Sequence, residues 1–209
     1  MSLFLPFTST TSYLLLPSEN DAFEAQMSKI WTILALGEAR FCIGIAISRN
    51  REAQTISLSQ TTLIDRIITQ FGQQDAYPIK TPMDPGLKLR RPNSSNTTSN
   101  DKLELSKYPY QLLVGCLLYL SVASRPDITY TVQQLSQFLD SYSYAHWGMA
   151  IRVVWYLKGT RELKLVLGGQ NPISLVGFTD SDWANCLDTR RSVGGYSFTL
   201  GSSIISWTT

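Results

Sequence analysis

Carboxylates are scarce where this chain would need them most. Beyond Glu162 there is no glutamate, and the only aspartates are Asp180, Asp182 and Asp188. A metal-dependent phosphodiesterase needs several acids converging on a pair of cations, so one strand-end carboxylate does not make such a site. No aspartate precedes Asp21. Histidine is almost absent too: the single His146 excludes a histidine-rich metal centre. Three cysteines, Cys42, Cys116 and Cys186, are odd in number and far apart. They read as reduced, packed side chains, not as a disulfide framework or a zinc site. No apolar run is long enough to cross a bilayer; Leu112–Leu120 suits a core helix instead. The apolar clusters of residues 1–16 lack a basic stretch before them and are broken by Ser and Thr, which argues against a signal peptide. The acceptor triplets at Asn93 and Asn96 then read as polar linker. A cytoplasmic or nuclear location is expected, without secretion or membrane attachment.

What is present is an ordinary globular composition. The chain has 209 residues, 44% of them hydrophobic, and a formal net charge of only +2. Bulk charge therefore does not announce nucleic-acid binding, and any such claim rests on local patches.

Along the chain the pattern changes three times. Phe41, Ile43, Ile45 and Ile47 alternate with smaller residues, Arg49–Ala53 is a polar turn, and Thr55–Ser59 alternates again, which predicts a β-hairpin. Leu63, Ile64, Ile67, Ile68 and Phe71 then recur at helical spacing, closed by Gly72. A helix is also predicted over Asp21–Leu34. The stretch from Pro78 holds four prolines and the polar run Asn93–Asn100, and is expected to be extended or mobile. Gln111–Ala123 is apolar nearly all round, as in a helix packed on several sides. Arg125-Pro-Asp127 restarts the chain, with Pro126 suited to a first helical turn and Asp127 to the positive end of its dipole. Ile128, Val132, Leu135 and Leu139 make the stripe of that helix, and Trp147, Ala150, Val154 and Leu157 that of another over Tyr144–Lys158. Last come three strands: Leu175–Asp180, Gly195–Leu200 and Ile204–Trp207. The class is α+β.

Several strings, taken in order, resemble one family. They are Phe41-Cys-Ile-Gly-Ile-Ala-Ile47, Ser59-Gln60, Thr81-Pro-Met83, Tyr110-Gln-Leu-Leu-Val-Gly-Cys-Leu-Leu-Tyr-Leu120 and Ser124-Arg-Pro-Asp-Ile128. His146 with Ala150, Tyr156-Leu-Lys-Gly-Thr160, Asp180-Ser-Asp-Trp-Ala184, Arg190-Arg-Ser192, Gly195-Tyr196 and Ile205-Ser-Trp207 continue the series. Over some nine-tenths of its length the chain resembles the Pol polyprotein of copia-type (pseudovirus) LTR retrotransposons, where reverse transcriptase joins RNase H. Val193 and Gly194 replace the small polar residues usual after Arg-Arg-Ser.

The resemblance implies a division into a poorly matched segment 1–17, the end of the palm and start of the thumb at 18–77, and a Pro/Ser/Asn-rich linker at 78–104. A helical thumb and connection at 105–165 and a truncated RNase H-like domain at 170–209 complete it. The implied architecture is an end-of-palm hairpin and helix, a helical bundle, then an incomplete antiparallel meander. In the family, paired aspartates of a palm hairpin bind magnesium, but the corresponding stretch Phe7–Leu16 has none. Asp180 takes the position of the first metal-bridging aspartate of RNase H, and the later acids have no counterpart. Mg²⁺ and an RNA/DNA hybrid or template-primer are thus implied for the parent family, and little or no binding of either for this chain. Candidate nucleic-acid contacts are Lys80, Lys88, Arg90, Arg91, Lys158, Arg161, Lys164, Arg190 and Arg191; the plainer account is a solvated linker and a basic turn. Asp180 likewise reads more simply as a solvated acid, Asp182 and Asp188 as turn residues, and His146 as a capping or packing side chain. Tyr108, Tyr110, Tyr119 and Tyr130 could stack on bases, though aromatic residues at this spacing more commonly fill cores. The expectation is a catalytically inert remnant; the alternative is a fragment of an active polymerase–nuclease that needs segments outside this chain.

Overall fold

The computed structural model describes residues 25–32, 38–84, 86, 88–92, 104–183, 188 and 190–209. Segment 1–17, the polar run 93–100 and Cys186 lie outside them. Residues up to Cys42 form one unit and Ile43–Thr209 a second. In the first, residues 25–27 are helical and Phe41–Cys42 form a short strand, β1. The longer helix expected up to Leu34 stops early: Ile30 and Trp31 both donate to the Met27 carbonyl in a tight turn, and both side chains are exposed.

The second unit is built on a helical core. Helices α1 (Thr61–Gln70), α2 (Tyr110–Ala123), α3 (Thr129–Ser136) and α4 (Tyr144–Gly159) follow one another, with a 3₁₀ turn at Pro126–Ile128 leading into α3. The spacings read from the sequence are the buried ones: Ile64, Ile67 and Ile68 of α1, Val132 and Leu135 of α3, Ala150, Val154 and Leu157 of α4. Gly72, at φ 65°, ends α1 in the left-handed conformation, and Gln73 N–H returns to the Ile68 carbonyl. Helix α2 departs from expectation. Leu113, Val114, Leu117 and Leu120 are fully buried, yet Leu112 is 50% and Val122 73% exposed. An all-apolar sequence showed no preferred face, and tertiary contact covers only one.

Strands β2 (Ile45–Asn50) and β3 (Thr55–Ser59) form the predicted antiparallel hairpin, with Ile47 opposite Leu58. The alternation does not extend back through Ile43, because Ile43 and Gly44 take positive φ values of 49° and 78° and turn the chain. A strand the sequence did not announce, β4 (Leu165–Gly168), adds antiparallel to β3 with Leu165 opposite Leu58. The expected meander is present as β5 (Leu175–Asp182), β6 (Val193–Leu200) and β7 (Ser203–Thr208), in that order across the sheet. It joins the rest through β7: Ser203 Oγ bonds both main-chain groups of Gly168, and Trp207 Nε1 donates to the Ser121 carbonyl at 2.8 Å.

The described part of the proline-rich stretch is irregular, as expected, but it does not float free. Ile79, Met83 and Leu89 pack on the helical core. Lys158 Nζ donates to the Ala76 carbonyl at 2.7 Å, and Arg152 to Thr81 Oγ1 at 3.1 Å. Proline's restricted backbone removes regular structure; it does not remove the apolar surface beside it.

Candidate functional site

Asp180 stands near the end of β5 with its Cα opposite Gly195 of β6, so no side chain faces it across the ladder. Successive strand residues point to opposite faces, which puts Asp182 on the same face as Asp180. An open cavity of about 280 Å³ is lined here by Tyr130 of α3, Phe178, Asp180, Asp182 and Tyr196. Burial, and then the charge of Asp182, push the Tyr130 hydroxyl up from its usual range. One Asp180 oxygen accepts the Ser181 main-chain N–H at 2.9 Å. Asp188 is engaged elsewhere, its carboxylate accepting the Arg91 main-chain N–H at 2.9 Å.

That donor set does not suit the implied magnesium. Among the described residues no three of His, Cys, Asp and Glu come together as ligands. Hard cations bridging a phosphodiester need converging oxygen donors, and the described residues at this strand end do not supply enough of them.

The basic candidates do not form one patch. Arg91 pairs with Asp140 at 2.9 Å, and that carboxylate, mainly through its hydrogen bond, raises the guanidinium's pKa further. Arg161 bonds Asp65 at 2.7 Å and lies 3.5 Å from Glu162. Lys158 is spent on the carbonyls of Gln74 and Ala76. Lys80 and Lys164 are exposed on segments of their own, whereas Lys88 and Arg90 share a strap with Arg91, and the exposed pair Arg190–Arg191 closely follows Asp188, which holds that strap. Of the tyrosines, Tyr110 is buried, stacks on Tyr142 at 4.6 Å and donates to the Leu135 carbonyl, so it is core. Tyr108 packs against Trp147 and Tyr144, while Tyr119 bonds the Ile43 carbonyl.

The structure brings together residues to which sequence reasoning gave no common role. Arg125, 2% exposed, forks onto Asp127 with Nε–Oδ1 2.9 Å and Nη2–Oδ2 2.7 Å. It also reaches the end of α4, donating to the Thr160 carbonyl at 3.2 Å and to Thr160 Oγ1 at 2.6 Å. Tyr156 donates its hydroxyl to Asp127 at 2.9 Å and lies under the guanidinium. Burial alone would raise the Asp127 carboxyl. The hydrogen bond and charge of Arg125, with the Tyr156 hydroxyl, outweigh it and hold the group below the ordinary carboxylate range. Next to this, Ser124 Oγ bonds Gln60 Oε1 at 2.7 Å, and Thr61 Oγ1 bonds the Arg161 carbonyl. Three of the family-like strings, Ser59-Gln60, Ser124–Ile128 and Tyr156–Thr160, thus meet at one junction. The arrangement is a clamp between helix ends, in which Gln60 Nε2 is buried without a hydrogen-bond partner among the described residues.

Comparison with known proteins agrees with the strings. The chain is 37% identical over 184 residues to the retrovirus-related Pol polyprotein from transposon TNT 1-94 of Nicotiana tabacum, covering 88% of this chain and 14% of that protein. Against the retrovirus-related Pol polyprotein from transposon RE1 of Arabidopsis thaliana it is 35% identical over 163 residues, 78% of this chain and 11% of that protein. The uncharacterized mitochondrial protein AtMg00810 of the same plant is 35% identical over 186 residues, 87% of this chain and 71% of that protein. The chain belongs to the family of copia-type, retrovirus-related Pol polyproteins and their short relatives. It spans a small part of the length of the transposon polyproteins it matches. No protein-family profile matches it, and no solved structure does.

Proposed function

We propose that this chain corresponds to the joint between reverse transcriptase and RNase H of a copia-type polyprotein: palm end, thumb and connection, and the opening strands of the nuclease sheet. By itself it is catalytically inert and binds nucleic acid weakly at most. The observation that carries this reading is the end of β5, where Asp180 and Asp182 share a face and no third His, Cys, Asp or Glu joins them among the described residues. Two-metal hydrolysis needs both cations clamped. The clamp at Arg125 supports the same view, since these strings serve packing. Labelled RNA–DNA hybrid incubated with the pure chain and Mg²⁺ is expected to stay intact. Cleavage that disappears in Asp180→Asn would overturn the proposal.

One observation favours a second reading, an enzyme segment completed by other parts of a longer product. Asp180 is exposed, β5 is the outer strand of its sheet among the described residues, and Gly195 leaves the approach clear. Under that reading, hybrid cleavage appears when a longer polyprotein product is assayed and vanishes with the same Asp180→Asn change.

A further inference from the structure

The chain's single histidine sits in the first turn of α4. Its side chain is 1% exposed. Nδ1 lies 3.1 Å from the Ser143 main-chain nitrogen and 2.7 Å from Ser143 Oγ, completing a capping box at the helix start. A main-chain N–H can only donate, so Nδ1 must keep its lone pair and the ring's one proton belongs on Nε2. Nε2 is buried without a hydrogen-bond partner among the described residues, and the ring centroid lies 4.3 Å from that of Phe138.

A second proton has one place to go, Nδ1. There it would abolish the bond from Ser143 N–H, leaving only Ser143 Oγ to accept from it, and would put a charge on a ring buried against Phe138. The surrounding charges do little to offset this. Asp188 attracts the protonated ring, but it is exposed and already accepts the Arg91 N–H. Asp140 is paired with the Arg91 guanidinium, which also contacts the Gln137 carbonyl at 3.4 Å. Tyr142 donates its hydroxyl to the Leu105 and Tyr108 carbonyls, and α4 has no acid in its first turn. Burial, with Asp188 pulling the other way, lowers the His146 pKa from 6.5 to about 4.

We propose that His146 is a proton-operated catch on α4. The neutral ring holds the first turn and the 137–143 loop closed, and protonation frees them together with the strap anchored there by Arg91. The direction follows from linkage. The opened state takes up a proton at the ordinary histidine pKa and the closed state only at about 4. The cap's contribution is therefore complete above pH 6.5 and is lost as the pH falls towards 4.

The test is a titration of the intact chain. Nitrogen-15 imidazole spectra are expected to show the Nε2–H tautomer and no protonation near the ordinary histidine value. After correction for intrinsic rates, opening of the first-turn amides of α4 should rise about tenfold per pH unit over that window. His146→Gln keeps a capping side chain without a titrating group, so its opening should be flat with pH. An imidazole that titrates at its ordinary pKa, or carries its proton on Nδ1, would overturn the proposal on the unmodified chain alone. So would the same acid response in a folded His146→Gln.

Discussion

Arg125 carries more of this fold than any side chain named as a candidate for chemistry. Its guanidinium is withdrawn from water, and its planar fork meets Asp127 while the same group closes the end of α4 at Thr160. Removing one partner of such a pair costs far more than the pair contributes, because the other is left unmatched. Arg125→Ala is expected to lower unfolding free energy by about 3 kcal/mol in a urea titration, with Lys recovering only part of it, since an ammonium cannot fork. Loss of less than about 1 kcal/mol would show the clamp to be ornamental. Pro126 and Asp127 were legible as a helix start from their neighbours alone. Arg125 was not, because its partner at Thr160 stands 35 residues away and nothing local betrays it. His146 was legible as a capping or packing side chain, and the structure shows it doing both.

Helices with one apolar stripe were readable because burial selects the same period that the sequence displays. Helix α2 was not, since a stripe cannot be picked out of fourteen nearly all-apolar positions. Strand β4 escaped for a different reason. Four residues are too few to show a period, and its pairing with β3 is settled by where α4 delivers the chain. That pairing depends on Gly168, at φ +93°, where an added Cβ would lie 2.3 Å from the Gln54 carbonyl oxygen. The same oxygen accepts the Gly169 N–H at 3.0 Å. Gly168→Ala is therefore expected to detach β4 from β3 and cost about 2 kcal/mol or more, combining backbone strain with a lost ladder. Hydrogen exchange at Val166 and Leu167 reads this directly; unchanged protection there would refute it.

For the molecule as a whole, the unevenness of burial matters most. The helices enclose a buried apolar core, whereas every residue of β5 is exposed. Leu175, Tyr196, Phe198 and Leu200 leave an apolar sheet open, while Trp207 on β7 reaches the Ser121 carbonyl. Such surface is an association hazard. Phe198→Lys is expected to reduce light scattering and dye binding by the pure chain while leaving the helical signal intact. Equal scattering by both proteins would place the hazard elsewhere. The change is tolerable only on the open face, since Phe198 lies over Gly177, where an added Cβ would meet its ring at 2.6 Å.

Local pattern alone determined the hairpin, the stripes of three helices and the meander, because each is set by neighbours within a few turns or one strand length. Contacts between distant segments decided the rest: the clamp at Arg125, the pairing of β4, the open side of α2 and the anchoring of the proline-rich strap. These depend on which surfaces the folded chain happens to bring within van der Waals and hydrogen-bond reach, and no periodicity in a linear sequence records that.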